Sequence, residues 1–154
     1  MAMSPSVRRY LNQNGVTYDE VTHARSMQAA EAAHAAHIPG RQVAKAVLLF
    51  AADDPLLAVA PASRRIDLAS LQVRLDCDVK LAAERDVQTL FDDCELGAVP
   101  PFGAAFGVET IVDDELLRSD DVYFEGGDHR TLVHLNAADW RRLMRDADHC
   151  AFTI

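Results

Sequence analysis

The chain has 154 residues, 49% of them hydrophobic and 25% charged. One folded soluble domain spanning 1–154 is therefore expected, and disordered, collagen-like and coiled-coil architectures are excluded. Fifteen Lys and Arg against 24 Asp and Glu leave a net charge of −9, which disfavours a protein coated by DNA or laid on an anionic membrane. The imbalance is uneven: residues 1–50 hold five basic residues (Arg8, Arg9, Arg25, Arg41, Lys45) and three acidic ones (Asp19, Glu20, Glu31), a balance of +2, so the remainder carries −11. Any nucleic-acid contact is expected on a small patch near the N-terminal third.

Ser4 followed by Pro5 reads as an N-cap with proline in the first turn, Val7, Tyr10 and Leu11 recur at helical spacing, and Gly15 marks the stop. Val16 to Val21 alternates like a strand, and Ser26 is a candidate cap for the Ala-rich helix that runs to the Pro39-Gly40 break. Val43 to Ala51, VAKAVLLFA, is an apolar run broken only by Lys45, the pattern of a strand buried on both faces. Asp53-Asp54-Pro55 turns it into a hairpin partner at Leu56 to Ala60. Asp67 caps a helix LASLQVRL, and Glu84 to Phe91 forms another.

Leu96 to Gly103 holds two glycines and two prolines and reads as an ordered loop. Strands follow at Glu109 to Val112, Val122 to Phe124 and Thr131 to Leu135, with an acidic turn after the first of them and Gly126-Gly127-Asp128 before the last. Asn136 caps a final helix, with Asp139 in a capping-box-like position. About seven strands interleaved irregularly with five helices make this a mixed α/β (α+β) domain, because the strict alternation of a doubly wound sheet is missing.

Cys77, Cys94 and Cys150 are odd in number and widely spaced, so they read as reduced structural thiols. The N-terminus lacks the apolar core of a secretory signal and no window is apolar for long enough to span a bilayer, so a cytoplasmic protein is expected. Walker and Rossmann glycine patterns and G-x-S-x-G are absent from the sequence, which argues against nucleotide hydrolysis, hydride transfer and a serine nucleophile. His34 and His37 have a spacing that can bind metal, but no carboxylate accompanies them, and no metal or cofactor is expected.

Three features can carry chemistry. Lys45 either lies at a sheet edge with its stem along apolar surface or faces a ligand anion from a pocket. The Gly97 to Gly103 loop is either a rigid turn plugged by Val99 and Phe102, or a frozen set of N–H donors for a developing oxyanion. His129, after Gly126-Gly127-Asp128, is either a bystander on a hairpin turn or a pocket residue that orients substrate, and His23 at a strand end can line the same pocket.

The order of these features, VAKAVLL with its one lysine, then GAVPP (Gly97 to Pro101), then GGDHRTLVHL, resembles the YbaK/prolyl-tRNA synthetase-associated editing domains, which are free-standing aminoacyl-tRNA deacylases. The resemblance covers nearly the whole chain. It implies a compact mixed α/β fold with a curved, barrel-like sheet surrounded by helices, and metal-free hydrolysis of the ester in mischarged tRNA. The tRNA 3′ end is then the partner, with an aminoacyl-tRNA synthetase as a further one. By the resemblance, Lys45 engages the anionic 3′ terminus, the N–H groups of Gly97 and Ala98 face the scissile carbonyl, Pro101 is the loop proline, and His129 is the pocket histidine. Pro100, Phe102, Gly126, Gly127 and His23 complete the expected substrate-binding set, and the terminal ribose hydroxyl stands in for a protein nucleophile. The bulky Pro100-Pro101-Phe102 and the acidic Glu125 depart from the cysteine-editing branch and argue against cysteinyl specificity. A non-catalytic tRNA-end or synthetase-binding module and a small-molecule ester hydrolase are the alternatives.

Overall fold

The computed structural model describes residues 3–154. Its strands β1 (Asp19–Thr22), β2 (Val43–Ala51), β3 (Asp54–Pro61), β4 (Val79–Leu81), β5 (Glu109–Asp113), β6 (Asp121–Glu125), β7 (Thr131–Asn136) and β8 (Asp148–Cys150) form one mixed sheet in the order β1-β7-β6-β2-β3-β5-β8, with β4 also paired to β2. Six helices pack around it: α1 (Pro5–Gln13), α2 (Ala29–Ala35), α3 (Leu68–Leu75), α4 (Glu84–Leu90), α5 (Asp114–Leu117) and α6 (Ala137–Leu143). The pairs β2–β6, β3–β5 and β5–β8 are parallel and the others antiparallel. The strand path is open, ending at β1 and β8, so the barrel is only loosely approached. Edges of four and three residues offer too few backbone groups to close it.

Local chemistry places most of these elements where the side chains direct. The Ser4 hydroxyl accepts from the Val7 N–H with Pro5 in the first turn, and Asp67 and Asn136 cap α3 and α6 through the Ser70 and Asp139 amides. Several boundaries differ from the pattern: the turn into β3 is Ala52-Asp53, with Asp54 and Pro55 already in the strand, and α2 ends at Ala35, short of the Pro39-Gly40 break. Val16 is drawn into the core and its N–H closes α1 onto the Leu11 carbonyl, so β1 begins only at Asp19. Ser26 does not cap α2; its N–H is held by the His129 carbonyl, and the helix starts at Ala29 with no side-chain cap. β4, β8 and the one-turn α5, which lies in the expected acidic turn, are too short to show any periodicity in the sequence.

β2 is the centre of the molecule and is buried on both faces. Ala44 and Leu48 join a cluster containing Phe102, Phe124 and Trp140, while Leu49 packs with Leu71, Ile111 and Phe152 on the other side. Phe102 meets Phe124 edge-on at 4.9 Å and Trp140 at 5.8 Å, with Tyr10 at 5.4 Å, an arrangement that adds directional aromatic attraction to the burial of apolar area. Asp113, buried at the end of β5, accepts from the Glu115 and Phe152 N–H groups and the Thr153 hydroxyl, tying the C-terminus to the sheet. All three cysteines are free, and burial pushes the Cys94 thiol up to about 12, which makes it inert. No helix among the described residues is long and apolar enough to cross a membrane.

Candidate active site

One edge of β2 changes partner along its length. Val43 and Ala44 pair with β6, Leu49 to Ala51 pair with β4, and Lys45 to Val47 pair with neither on that side. A cleft of about 270 Å³ opens at this break, lined by Met27–Ala30, Lys45–Val47, Ala62, Gly97, Val99 and Glu125. Lys45 and Glu125 stand one step beyond the last parallel pair, Ala44 with Phe124, so strand alternation puts both on the same face.

Lys45 is half-buried, and its ammonium donates to the Arg64 carbonyl. Burial lowers its pKa from the ordinary lysine value. Arg64 follows β3 and pairs with Glu115 at 3.0 Å. Gly40 lies against Ser63, where an added Cβ would come within 3.2 Å of the Ser63 Cβ, so Arg41 stands beside the Arg64-Arg65 turn. Among the described residues Arg41 and Arg65 form no ion pair, and both are exposed. Lys45 is the one basic side chain of the lining, and the exposed Arg41, Arg64 and Arg65 lie in the segments next to it.

The wall opposite is built by a relay of backbone and side-chain bonds. The Asp128 carboxylate accepts from the N–H groups of Arg130 and Thr131 and from the Thr131 hydroxyl, which shapes the turn between β6 and β7. His129 within that turn has a φ of 60° and is 1% exposed. Its Nε2–H donates to the Leu96 carbonyl at 2.5 Å. A second staple runs from the Glu95 N–H to the Gly127 carbonyl at 2.8 Å. Held this way, Gly97 has a φ of 85°, and a Cβ there would lie 3.0 Å from the Met27 carbonyl oxygen and 3.3 Å from His129 Cε1. Only glycine meets both demands without strain.

The expected site residues divide accordingly. Lys45 and Gly97 come together in the cleft. Ala98 is fully buried and its N–H is already bonded to the Glu95 carbonyl at 3.0 Å, so it has no donor to offer a substrate. The N–H groups of Gly97 and Val99 are engaged by no backbone carbonyl among the described residues. His129 lies behind Gly97 as a brace and does not line the cleft, since its ring is committed to Leu96. His23 bonds the adjacent Ala24 carbonyl through Nδ1 at 2.6 Å and is likewise outside the lining. Phe102 is core, and Pro101 borders a separate groove with Tyr10 and Met144. Pro100 is buried and serves to stiffen the loop. Gly126 and Gly127 pack against Met3 and Ser4, away from the cleft.

Glu125 stands out in the sequence only as a departure from the cysteine-editing branch and is absent from the expected site residues. It is 2% exposed, lines the cleft, and neither carboxyl oxygen has a hydrogen-bond partner. Burial, with a smaller contribution from Asp128, pushes its pKa up to about 8. The available signal was an acid completing the apolar strand Val122–Phe124, where a surface position has no reason to be isolated between Phe124 and Gly126.

Comparison with known proteins agrees with this architecture. The aminoacyl-tRNA editing domain family matches residues 23–143. A structure described as a candidate trans-editing enzyme for prolyl tRNA synthetase superposes with a TM-score of 0.83 at 24% identity, covering 99% of each chain. The hypothetical protein APE2540 does so with a TM-score of 0.85 at 21% identity, over 97% of this chain and 99% of its own. A candidate signal transduction protein from Marinobacter aquaeolei VT8 contains the same fold in 30% of its length, with a TM-score of 0.76 at 22% identity over 97% of this chain. No curated protein matches the chain. The family match spans the lysine strand, the glycine loop and the histidine turn that meet around the cleft, and the chain belongs to the aminoacyl-tRNA editing domain family.

Proposed function

We propose that the protein is an aminoacyl-tRNA deacylase acting in trans, hydrolysing the ester between a wrongly attached amino acid and the 3′ end of a tRNA. The observation that carries this reading is the convergence of a half-buried, carboxylate-free ammonium, Lys45, and an unengaged, rigidly held N–H, Gly97, on one small cleft. An ammonium in that position exchanges the Arg64 carbonyl for an anionic oxygen of the tRNA terminus, a stronger charge-assisted bond. Arg41, Arg64 and Arg65 extend the same attraction along the mouth.

With the terminus held, the Gly97 N–H faces the carbonyl oxygen on which negative charge develops. One such preorganised donor is worth about 2.7–4 kcal/mol in the transition state. Water adds to the carbonyl carbon, the bond to the ribose oxygen breaks, and the proton lost by water ends on that oxygen. No serine, threonine, cysteine or histidine lines the cleft, so attack by water, assisted by the neighbouring ribose hydroxyl, accounts for the reaction without a covalent enzyme intermediate. A cleft of about 270 Å³ favours small aminoacyl groups, and each extra methylene costs about 1–3 kcal/mol at such a wall.

The test is a deacylation panel in which tRNAs charged with different small amino acids are incubated with the protein and free amino acid is measured over several turnovers. Multiple turnover on at least one mischarged tRNA is expected. Saturable binding without release would leave a binding module, and activity on simple esters alone would leave a small-molecule hydrolase. Because the basic contacts are few, affinity should fall with salt along a shallow log–log slope of about −2 to −4, read by a titration between low and moderate salt. A flat response would remove the basic mouth from the binding surface.

A further inference from the structure

Hydrolysis of an aminoacyl ester, the reading on which this inference rests, sets a charge problem that Lys45 alone does not solve. The substrate brings an anion, its terminal phosphodiester, and a cation, the α-ammonium of the amino acid, only a few bonds from the scissile carbonyl. A cleft whose single ionised group were Lys45 would bind the first and repel the second. The lining contains one acidic side chain, Glu125. It is 98% removed from solvent by its 2% exposure, both its oxygens are unpartnered, and strand alternation sets it on the same face as Lys45. No ion pair joins the two: the lysine is turned to the Arg64 carbonyl, so the acid is left free.

An orphaned buried carboxyl is costly to a folded protein unless a ligand completes it. We propose that Glu125 receives the α-ammonium of the aminoacyl group and thereby restricts the protein to esters that carry a free amine. Lys45 and Glu125 are then complementary halves of one receptor, cation for the tRNA terminus and anion for the amino acid, and the scissile carbonyl lies between them under Gly97.

Because burial holds the free protein's Glu125 largely protonated near neutrality, a neutral α-amine completes the pair by accepting the carboxyl proton. The proton passes from oxygen to nitrogen and the products are carboxylate and ammonium, with no net exchange with solvent. An N-acylated amino acid has no basic nitrogen to take the carboxyl proton, so it forms no ion pair with Glu125. That mismatch is the physical basis of discrimination.

The decisive measurement uses a hydrolysis-resistant probe, alanyl-3′-amino-3′-deoxyadenosine, and its N-acetyl form, titrated calorimetrically into wild type, Glu125→Gln and Glu125→Asp. Wild type should bind the free-amine probe at least about tenfold more tightly. Glu125→Gln should bind the two forms equally, and Glu125→Asp, which keeps the carboxyl on a shorter stem, should keep part of the preference. Thermal melts accompany the titrations, and the Gln variant is expected to be no less stable than wild type at pH 7 because it removes a buried group that resists ionisation. Equal binding of both probes by wild type, or an unchanged preference in Glu125→Gln, overturns the assignment. Deacylation of N-acetyl and free aminoacyl-tRNA by wild type and Glu125→Gln is run in parallel. Loss of rate on both substrates alike in the Gln variant would instead make Glu125 the base that activates water, and would also overturn it. Failure of the deacylase reading shows separately, as no release from any tRNA by wild type, while the probe titration still reads Glu125.

Discussion

Lys45→Ala is expected to lower deacylation of mischarged tRNA by at least about 100-fold while the melting temperature stays close to that of wild type. A hydrogen bond from a charged donor contributes about 1.5–3 kcal/mol, and 2.7 kcal/mol corresponds to two decades in rate. Nothing in the core depends on the ammonium, because its one partner is the Arg64 carbonyl at the surface, and alanine keeps the β2–β3 pairing opposite Ala60. Lys45→Arg should restore only part of the rate, since the guanidinium is wider and planar where the break in the sheet admits a slender chain. Circular dichroism and a melt establish the fold, and single-turnover release of amino acid establishes the rate. Full activity in Lys45→Ala would remove the residue from the mechanism and with it the reading of the cleft as the deacylation site.

Gly97→Ala should cost about 10²–10³ in kcat with a smaller change in KM, the signature of an interaction made mainly in the transition state. Two physical effects add here. Alanine at a φ of 85° is strained by about 1–2 kcal/mol, and its Cβ would press on the Met27 carbonyl oxygen at 3.0 Å and on His129 Cε1 at 3.3 Å. Neither neighbour gives way cheaply: Met27 offers backbone, and His129 is fastened to Leu96 and carried by the turn that Asp128 shapes. The loop must therefore shift, moving the N–H away from the carbonyl oxygen. Steady-state kinetics with a melt distinguishes this from simple unfolding, for which activity per folded molecule would be unchanged.

These two residues also show how far the primary structure reaches. Lys45 is conspicuous because a single charge interrupts eight apolar positions of Val43 to Ala51, and Gly97 because two glycines flank a proline pair in a stretch too rigid for a linker. Caps at Ser4, Asp67 and Asn136 and the turn at Gly126-Gly127 are local events within four or five residues, so their element boundaries followed from side-chain chemistry alone. Ala98 shows the opposite case. Its neighbour's conformation was readable, but its N–H is lost to Glu95 by a turn whose geometry depends on the Gly127 staple from a different part of the chain. His129 is conspicuous in the sequence as a candidate pocket residue, and the structure sets its ring against the Leu96 carbonyl, behind the loop that lines the cleft.

The sequence by itself determined the mixed α/β class, the central strand with its lysine, the stiff glycine loop and the family to which the chain is similar. The first three rest on periodicity, caps and turn residues, which act over short distances along the chain, and the family similarity rests on the order of VAKAVLL, GAVPP and GGDHRTLVHL. Only the tertiary structure decided that β2 exchanges β6 for β4 and leaves a break at Lys45, and that Glu125 is buried there without a partner. Each of those facts depends on which strands become neighbours. Strand partnership is set by packing among residues more than a hundred positions apart, as in Asp19 with His134, and no local pattern encodes it.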